Sequence, residues 1–153
     1  MRYIMRQRLF SFGDDFHIRT EDGRDAFFVD GRAVSIGDKL SFQDMAGNEL
    51  AFVKQRLLAL SPTYEIYRNG QLYATVKKEL FTFFRTKFEI DVPGPHDLEA
   101  QGDFLDHEYA FTRNGQAIAR VSKQWFAFSD TYGVEVMPGE DDVLILAATV
   151  VID

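Results

Sequence analysis

The chain has 153 residues, is 46% hydrophobic with fifteen Phe, carries a formal charge of −7 and contains no Cys. That length supplies one well-buried core and not two ordinary domains, so residues 1–153 read as a single domain. The acidic balance argues against nucleic-acid binding, which draws on a basic stripe, and against strong general attraction to anionic membranes. Without cysteine, disulfide frameworks, thiolate nucleophiles and thiolate metal sites are excluded.

In chain order, the opening "MRYIMRQRLFSF" lacks the uninterrupted apolar run of a secretory signal, because Arg2, Arg6 and Arg8 break it. The protein therefore reads as cytoplasmic, with a peripheral position at a membrane left open and no transmembrane segment. Most of the remaining chain alternates with period two between Gly-centred turns at Asp22-Gly23, Asp30-Gly31, Ala46-Gly47-Asn48, Asn69-Gly70 and Asn114-Gly115. Asn-Gly between alternating runs is a strong hairpin signal, since both central residues of a type I′ turn need positive φ. Pro93 and Pro95 bracket Gly94 in a loop between two strand-like runs, and no stretch has the composition of an interdomain linker.

The chain repeats itself. Aligned without a gap, Tyr64 to Thr86 and Tyr109 to Thr131 are identical at Tyr, Arg, Asn, Gly, Gln, Ala, Val, Lys, Phe, Phe and Thr, eleven positions of 23. A weaker copy starts at Gly47 and a fragment of a fourth at Met5. Each unit is a strand that leaves a turn, runs through a Val-x-Lys/Gln centre and ends in aromatic or leucine residues. Alternation puts Leu72, Ala74, Val76, Lys78 and Leu80 on one inner face, Ala117, Ala119, Val121, Lys123 and Trp125 on a second, and Ala51, Val53, Gln55 and Leu57 on a third. The recurrent Ala51, Ala74 and Ala119 leave room for something to pass close to the sheet.

The C-terminal run from Val143 to Ile152 has no polar face, so it is surrounded by protein or lipid, and it is too short to span a bilayer as a helix. Its Val and Ile content favours a strand, whereas Glu140, Asp141 and Asp142 suit a helix N-terminus with Asp142 as N-cap. Periodicity does not choose between the two.

These segments resemble the LURP-one-related family, whose members look like the tubby C-terminal domain and the phospholipid scramblases. The resemblance runs through "RQRLFSFGDDFHI", "LSFQDMAGNELAFVKQRLLALSPTYEIY", "YATVKK" and its aromatic run, "GDFLDHEYAFTRNGQAIARVSKQWFAFSDTYGVEV" and "LILAATVVID". It implies a mainly β fold: a single closed antiparallel barrel of about twelve strands around a buried hydrophobic C-terminal helix. A barrel interior must match the girth of what it encloses, which agrees with the inner alanines. Of function the family implies less. The related tubby domain binds phosphoinositides and scramblases are linked to lipid movement, an associational warrant only.

The sequence itself offers one oddity, Lys78 and Lys123 at equivalent positions on apolar faces. An unpaired ammonium there must find a carboxylate, reach water at the barrel rim, or sit at a bulge. The region from Lys77 to Phe88 also interleaves Lys77, Lys78, Arg85 and Lys87 with Phe81, Phe83, Phe84 and Phe88. Lys77, Lys78, Arg85, Lys87 and Lys123 are thus the candidate ligand residues, for a phosphoinositide or other anionic lipid headgroup. Ordinary strands with Lys outside and Phe inside account for the same pattern. His17, His96 and His107 show no metal-ligand spacing, and His107 with Asp103, Asp106 and Glu108 reads as a solvated loop cluster. No nucleophile elbow, P-loop or dinucleotide fingerprint occurs, so no catalytic residue and no cofactor is assigned. The expectation is a non-enzymatic barrel that binds a lipid headgroup or other anionic ligand, or alternatively a structural or protein-interaction module.

Overall fold

A computed structural model describes residues 1–6, 15–31, 39–56, 58–82, 85–126 and 130–153, with only the backbone at 80–82 and 85–86. The strands are β1 (Arg2–Arg6), β2 (Phe16–Thr20), β3 (Asp25–Asp30), β4 (Lys39–Asp44), β5 (Glu49–Gln55), β6 (Thr63–Arg68), β7 (Gln71–Thr82), β8 (Arg85–Asp91), β9 (Leu98–Asp103), β10 (Glu108–Arg113), β11 (Gln116–Ser122) and β12 (Thr131–Val136). Each pairs antiparallel with its sequence neighbour, and β1 with β12 closes the barrel. Closure removes the free edges that so many aromatic strands would otherwise present.

The Asn-Gly turns form as their chemistry requires. Asn69 and Gly70 have φ of 52° and 75°, and Asn114 and Gly115 have 51° and 79°, so both central residues of each hairpin lie in the left-handed region.

Three residues after the turn glycine, the strands share a second feature that alternation does not show. Partners jump from Ile66↔Ala74 to Tyr67↔Leu72, leaving Tyr73 as an extra residue. The same shift leaves Ile118 in β11, Leu50 in β5 and Ala26 in β3. Each bulge sits three residues past Gly70, Gly115, Gly47 or Gly23, so the repeat encodes a bulged hairpin. A bulge reverses the facing of the residues before it. Leu72, expected inside, is consequently 50% exposed, and Ala117 is only half-buried, while Ile118 joins the core. Beyond the bulge the assignment holds: Ala51, Val53, Ala74, Val76, Ala119 and Val121 are all buried.

The C-terminal run is a helix, α1 (Asp142–Ile152), and it fills the barrel: every residue from Leu144 to Val151 is buried. Of the strands, β5, which carries Ala51, and β12 approach it most closely. Its N-cap is Asp141, one residue before the expected Asp142, and the Asp141 carboxylate accepts the Leu144 N–H at 3.2 Å. Four further tethers hold this end. Arg68 and Tyr73 both donate to Asp141, Tyr3 donates to Asp142, and Arg113 is paired with Glu140 at 3.0 Å. Burial, then the hydrogen bond and charge of Asp142, hold the Tyr3 phenol well above its usual pKa, so it remains a donor. Asp141→Ala removes the cap and leaves Arg68 without its carboxylate. A loss of about 1–2 kcal/mol in urea unfolding is expected, and an unchanged midpoint would show that the cap is dispensable.

Candidate functional site

Strand direction gives the barrel two unlike ends. β3, β5, β7 and β11 all leave short polar turns, and α1 enters beside those turns; this is the hairpin end. The opposite, open end is where these strands finish and where α1 terminates at Asp153.

Lys78 and Lys123 both lie at the open end, because each follows its turn glycine by the same number of residues. Lys78 keeps the inward parity of Val76 and pairs with Phe88, but it lies one residue past the last β6 pair, where its N–H donates to the Pro62 carbonyl at 3.0 Å. Its side chain is half-buried. Lys123 departs from expectation, since β11 stops at Ser122. Glu108 Oε1 accepts both the Ser122 hydroxyl at 2.9 Å and the Lys123 N–H at 3.0 Å, and the Gln124 N–H donates to Ser122 Oγ. That turn takes Lys123 off the inner face. Among the described residues no carboxylate lies within ion-pair distance of either ammonium.

Trp125 is likewise not inside. A Cβ built on Gly133 would come within 2.7 Å of both Trp125 and Phe126, so these rings fold back over the outer face of β12, where Gly133 provides the space. Arg2 lies over the indole at 4.7 Å and is paired with Glu135 at 2.6 Å.

The rest of the basic set divides. Lys87 is enclosed by carboxylates of Glu99 at 3.2 Å, Glu89 at 3.5 Å and Glu79 at 3.9 Å. Partial desolvation opposes its charge, but hydrogen bonds and attraction from Glu99 and Glu89 prevail and raise its pKa. Lys87 is therefore neutralised within an acidic surface and is a poor anion ligand. Lys77 is exposed, on the outer face beside Glu89. Arg85 opens β8, and its side chain, like that of Phe81, lies outside the described residues, as do Phe83, Phe84 and Leu57. Phe88 belongs to the core.

Apolar side chains mark the same end. Leu58 and Leu60, between β5 and β6, and Leu105, between β9 and β10, have relative exposures of 100%, 110% and 91%. Leu58 and Leu60 share their connection with Pro62, the contact of Lys78. Leu105 shares its turn with the segment leading to Glu108, the contact of Lys123.

Beneath this end lies a group that sequence spacing does not reveal. His107 Nε2 is 2.6 Å from Asp153 Oδ1, and both side chains are buried. The imidazole stacks on Tyr132 with centroids 4.4 Å apart, and the Tyr132 hydroxyl donates to Asp153 Oδ2 at 3.3 Å. His107 is thus a core residue and not part of a solvated cluster. Among the described residues the buried Tyr109 hydroxyl and His107 Nδ1 have no well-formed hydrogen bond. Burial first, then the charge of Asp153, push the Tyr109 phenol far above its usual pKa, against a smaller opposing contribution from Thr149. Among the described residues no three His, Asp or Glu side chains are placed to hold a metal, and no helix is long and apolar enough to cross a membrane.

Clefts lie on the outer wall. One of about 610 Å³ is bounded by Ile4, Arg6, His17, Arg19 and Asp130, but Arg6 faces Asp130 at 3.7 Å and Arg19 faces Asp25 at 3.0 Å. A smaller one, about 320 Å³, is lined by Glu89, Asp91, Asp97 and Glu99 and repels anions.

The family model for LURP-one-related proteins matches residues 1–153. The chain belongs to the LURP-one-related family. It is 35% identical over 150 residues to YxjI of Bacillus subtilis (strain 168), described as uncharacterised, covering 98% of this chain and 90% of that protein. Its fold is similar to the X-ray structure of the Arabidopsis thaliana protein AT5G01750, with a TM-score of 0.69 at 16% identity, over 99% of this chain and 88% of that one. At that identity the second likeness supports the fold alone, and it agrees with the closed twelve-stranded barrel of this LURP-one-related chain.

Proposed function

We propose that this LURP-one-related barrel is a non-enzymatic binding module that engages an anionic lipid headgroup at its open end. The observation that carries this reading is the pair Lys78 and Lys123. They occupy equivalent places in two copies of the repeat, reach the same rim, and lack a carboxylate partner among the described residues. An ammonium at a rim with no carboxylate within ion-pair distance among the described residues is placed to attract phosphate. Of the candidate residues, these two and the exposed Lys77 remain available, whereas Lys87 does not. Likeness to tubby and scramblase domains fits the same chemistry without establishing it.

Sedimentation with phosphatidylcholine vesicles, with and without phosphatidylinositol bisphosphate, tests the reading at low salt. The wild-type chain is expected to pellet only with the charged vesicles, and Lys78→Gln with Lys123→Gln to weaken association about thirtyfold, at ~1 kcal/mol per lysine. Absence of lipid-dependent pelleting would end it. A second reading, a protein-contact module, draws on the outer-face neighbours Phe52, Tyr67 and Leu72, with Lys54 over the Tyr67 ring at 5.1 Å. A folded chain that ignores lipid but retains a protein partner would favour it.

A further inference from the structure

The exposed leucines are not distributed at random over the surface. Among the described residues, the three large apolar side chains exposed beyond nine-tenths are Leu58, Leu60 and Leu105, and all belong to connections at the open end. Met1, Met45 and Met137 at the hairpin end, and Leu72 beside it, expose only 49–64%. Such projecting tips are not a pre-formed groove. A protein partner would have to supply separate pockets for each, whereas a fluid apolar phase closes around projections of any spacing.

Charge is arranged along the same axis. Each leucine turn is joined to the backbone of one of the two lysines that have no ion pair among the described residues, Leu58 and Leu60 to Lys78 through Pro62, and Leu105 to Lys123 through Glu108. The open end also carries Asp15, Asp103, Asp106, Glu108 and Asp130, which its described cations Arg6, Lys39, Arg56, Lys78 and Lys123 offset, and Asp103 accepts the Asp106 N–H at 3.1 Å. At the hairpin end Glu21, Asp22, Asp44, Glu49, Glu140, Asp141 and Asp142 outnumber Arg24, Arg68 and Arg113 in the turns and at the helix entrance. That end is repelled by an anionic surface.

Resting on the headgroup reading, we infer that the barrel docks end-on: Leu58, Leu60 and Leu105 enter the acyl region of an anionic membrane, Lys78 and Lys123 stand at the level of the phosphates, and the hairpin end faces away. This binding is a joint effect of apolar insertion and local charge. It accounts for how a chain of net charge −7 meets a negative surface, because among the described residues charge is close to balanced at the open end and the acidic excess lies at the hairpin end.

The cysteine-free sequence makes the orientation directly measurable. Leu58→Cys, Leu60→Cys, Leu105→Cys and, at the hairpin end, Ala46→Cys are each labelled with an environment-sensitive fluorophore. They are added to phosphatidylcholine vesicles containing phosphatidylinositol bisphosphate, with nitroxide on the lipid tails. Labels at 58, 60 and 105 are expected to shift to the blue and be quenched, and the label at 46 to do neither. Pelleting without quenching at any rim label would overturn insertion and leave the headgroup reading standing; no pelleting would overturn both. A blue shift that grows with protein concentration in the absence of vesicles would overturn insertion in favour of contact between copies of the chain. In unlabelled protein, Leu58→Ser, Leu60→Ser and Leu105→Ser should each lower vesicle association about tenfold at an unchanged unfolding midpoint. Undiminished association in all three would also refute the proposal.

Discussion

A chain stopped after Asp142 is expected to have no cooperative unfolding transition. The missing segment carries Leu144, Ile145, Leu146, Val150 and Val151, all buried against the inner faces of the strands. Truncating a single such side chain to Ala typically removes about 2–5 kcal/mol, and a domain has only about 5–15 kcal/mol in total. Losing five of them exceeds that margin. The strands left behind would enclose a space lined by Ala51, Val53, Ile66, Ala74, Val76, Ile90, Ala100 and Val134, which is too apolar to hold water usefully and is prevented by the closed sheet from simply collapsing. Leu146→Asp should act similarly through one residue, because it places a carboxylate at a position with no exposure and no cation facing it among the described contacts. Thermal circular dichroism with a hydrophobic dye checks both variants. A truncated chain that melts sharply and binds no dye would show that α1 is an accessory and not the core.

How much of the molecule was legible depends on where the information resides. Turn chemistry is written in residue type, so Asn69-Gly70 and Asn114-Gly115 announce their positive φ values directly. The inner alanines are legible for the same reason: a small residue recurring at one depth states a clearance, and Ala51, Ala74 and Ala119 are all buried in the barrel that α1 fills. Bulges are different. They depend on how two strands pair, and nothing in the letters of Leu72 or Tyr73 says which of them turns inward. Lys123 and Trp125 escaped alternation because β11 ends in a turn fixed by Glu108, a residue on the neighbouring strand. His107 and Asp153 are 46 positions apart, and only the barrel brings them together. Of the candidate site, the equivalence of Lys78 and Lys123 was visible, whereas the carboxylates that occupy Lys87 depend on the pairing of β7, β8 and β9.

The His107–Asp153 pair gives the second large effect, and its two halves should not be equivalent. His107→Ala leaves the Asp153 carboxylate buried without its imidazole, at the C-terminal end of α1, where the helix dipole already disfavours negative charge. A loss of about 3–5 kcal/mol is expected. Asp153→Ala leaves the His107 imidazole short of one hydrogen-bond partner but strands no carboxylate, and its loss should be nearer ~1–3 kcal/mol. Because each residue is destabilised mainly by the absence of the other, the double variant should cost less than the two singles added, by about 0.5–3 kcal/mol. Backbone strain is separable from the side-chain term. His107 has φ of +53°, so His107→Gly should be milder than His107→Ala if strain contributes, and equal to it if only the contact with Asp153 matters. Urea midpoints at constant m-value measure all four variants. Strict additivity would mean that Asp153 and His107 act independently despite their 2.6 Å separation. Coupling, in contrast, would make His107 the residue that joins the end of the central helix to the turn bearing Leu105, and so holds the open end in the shape from which its leucines project.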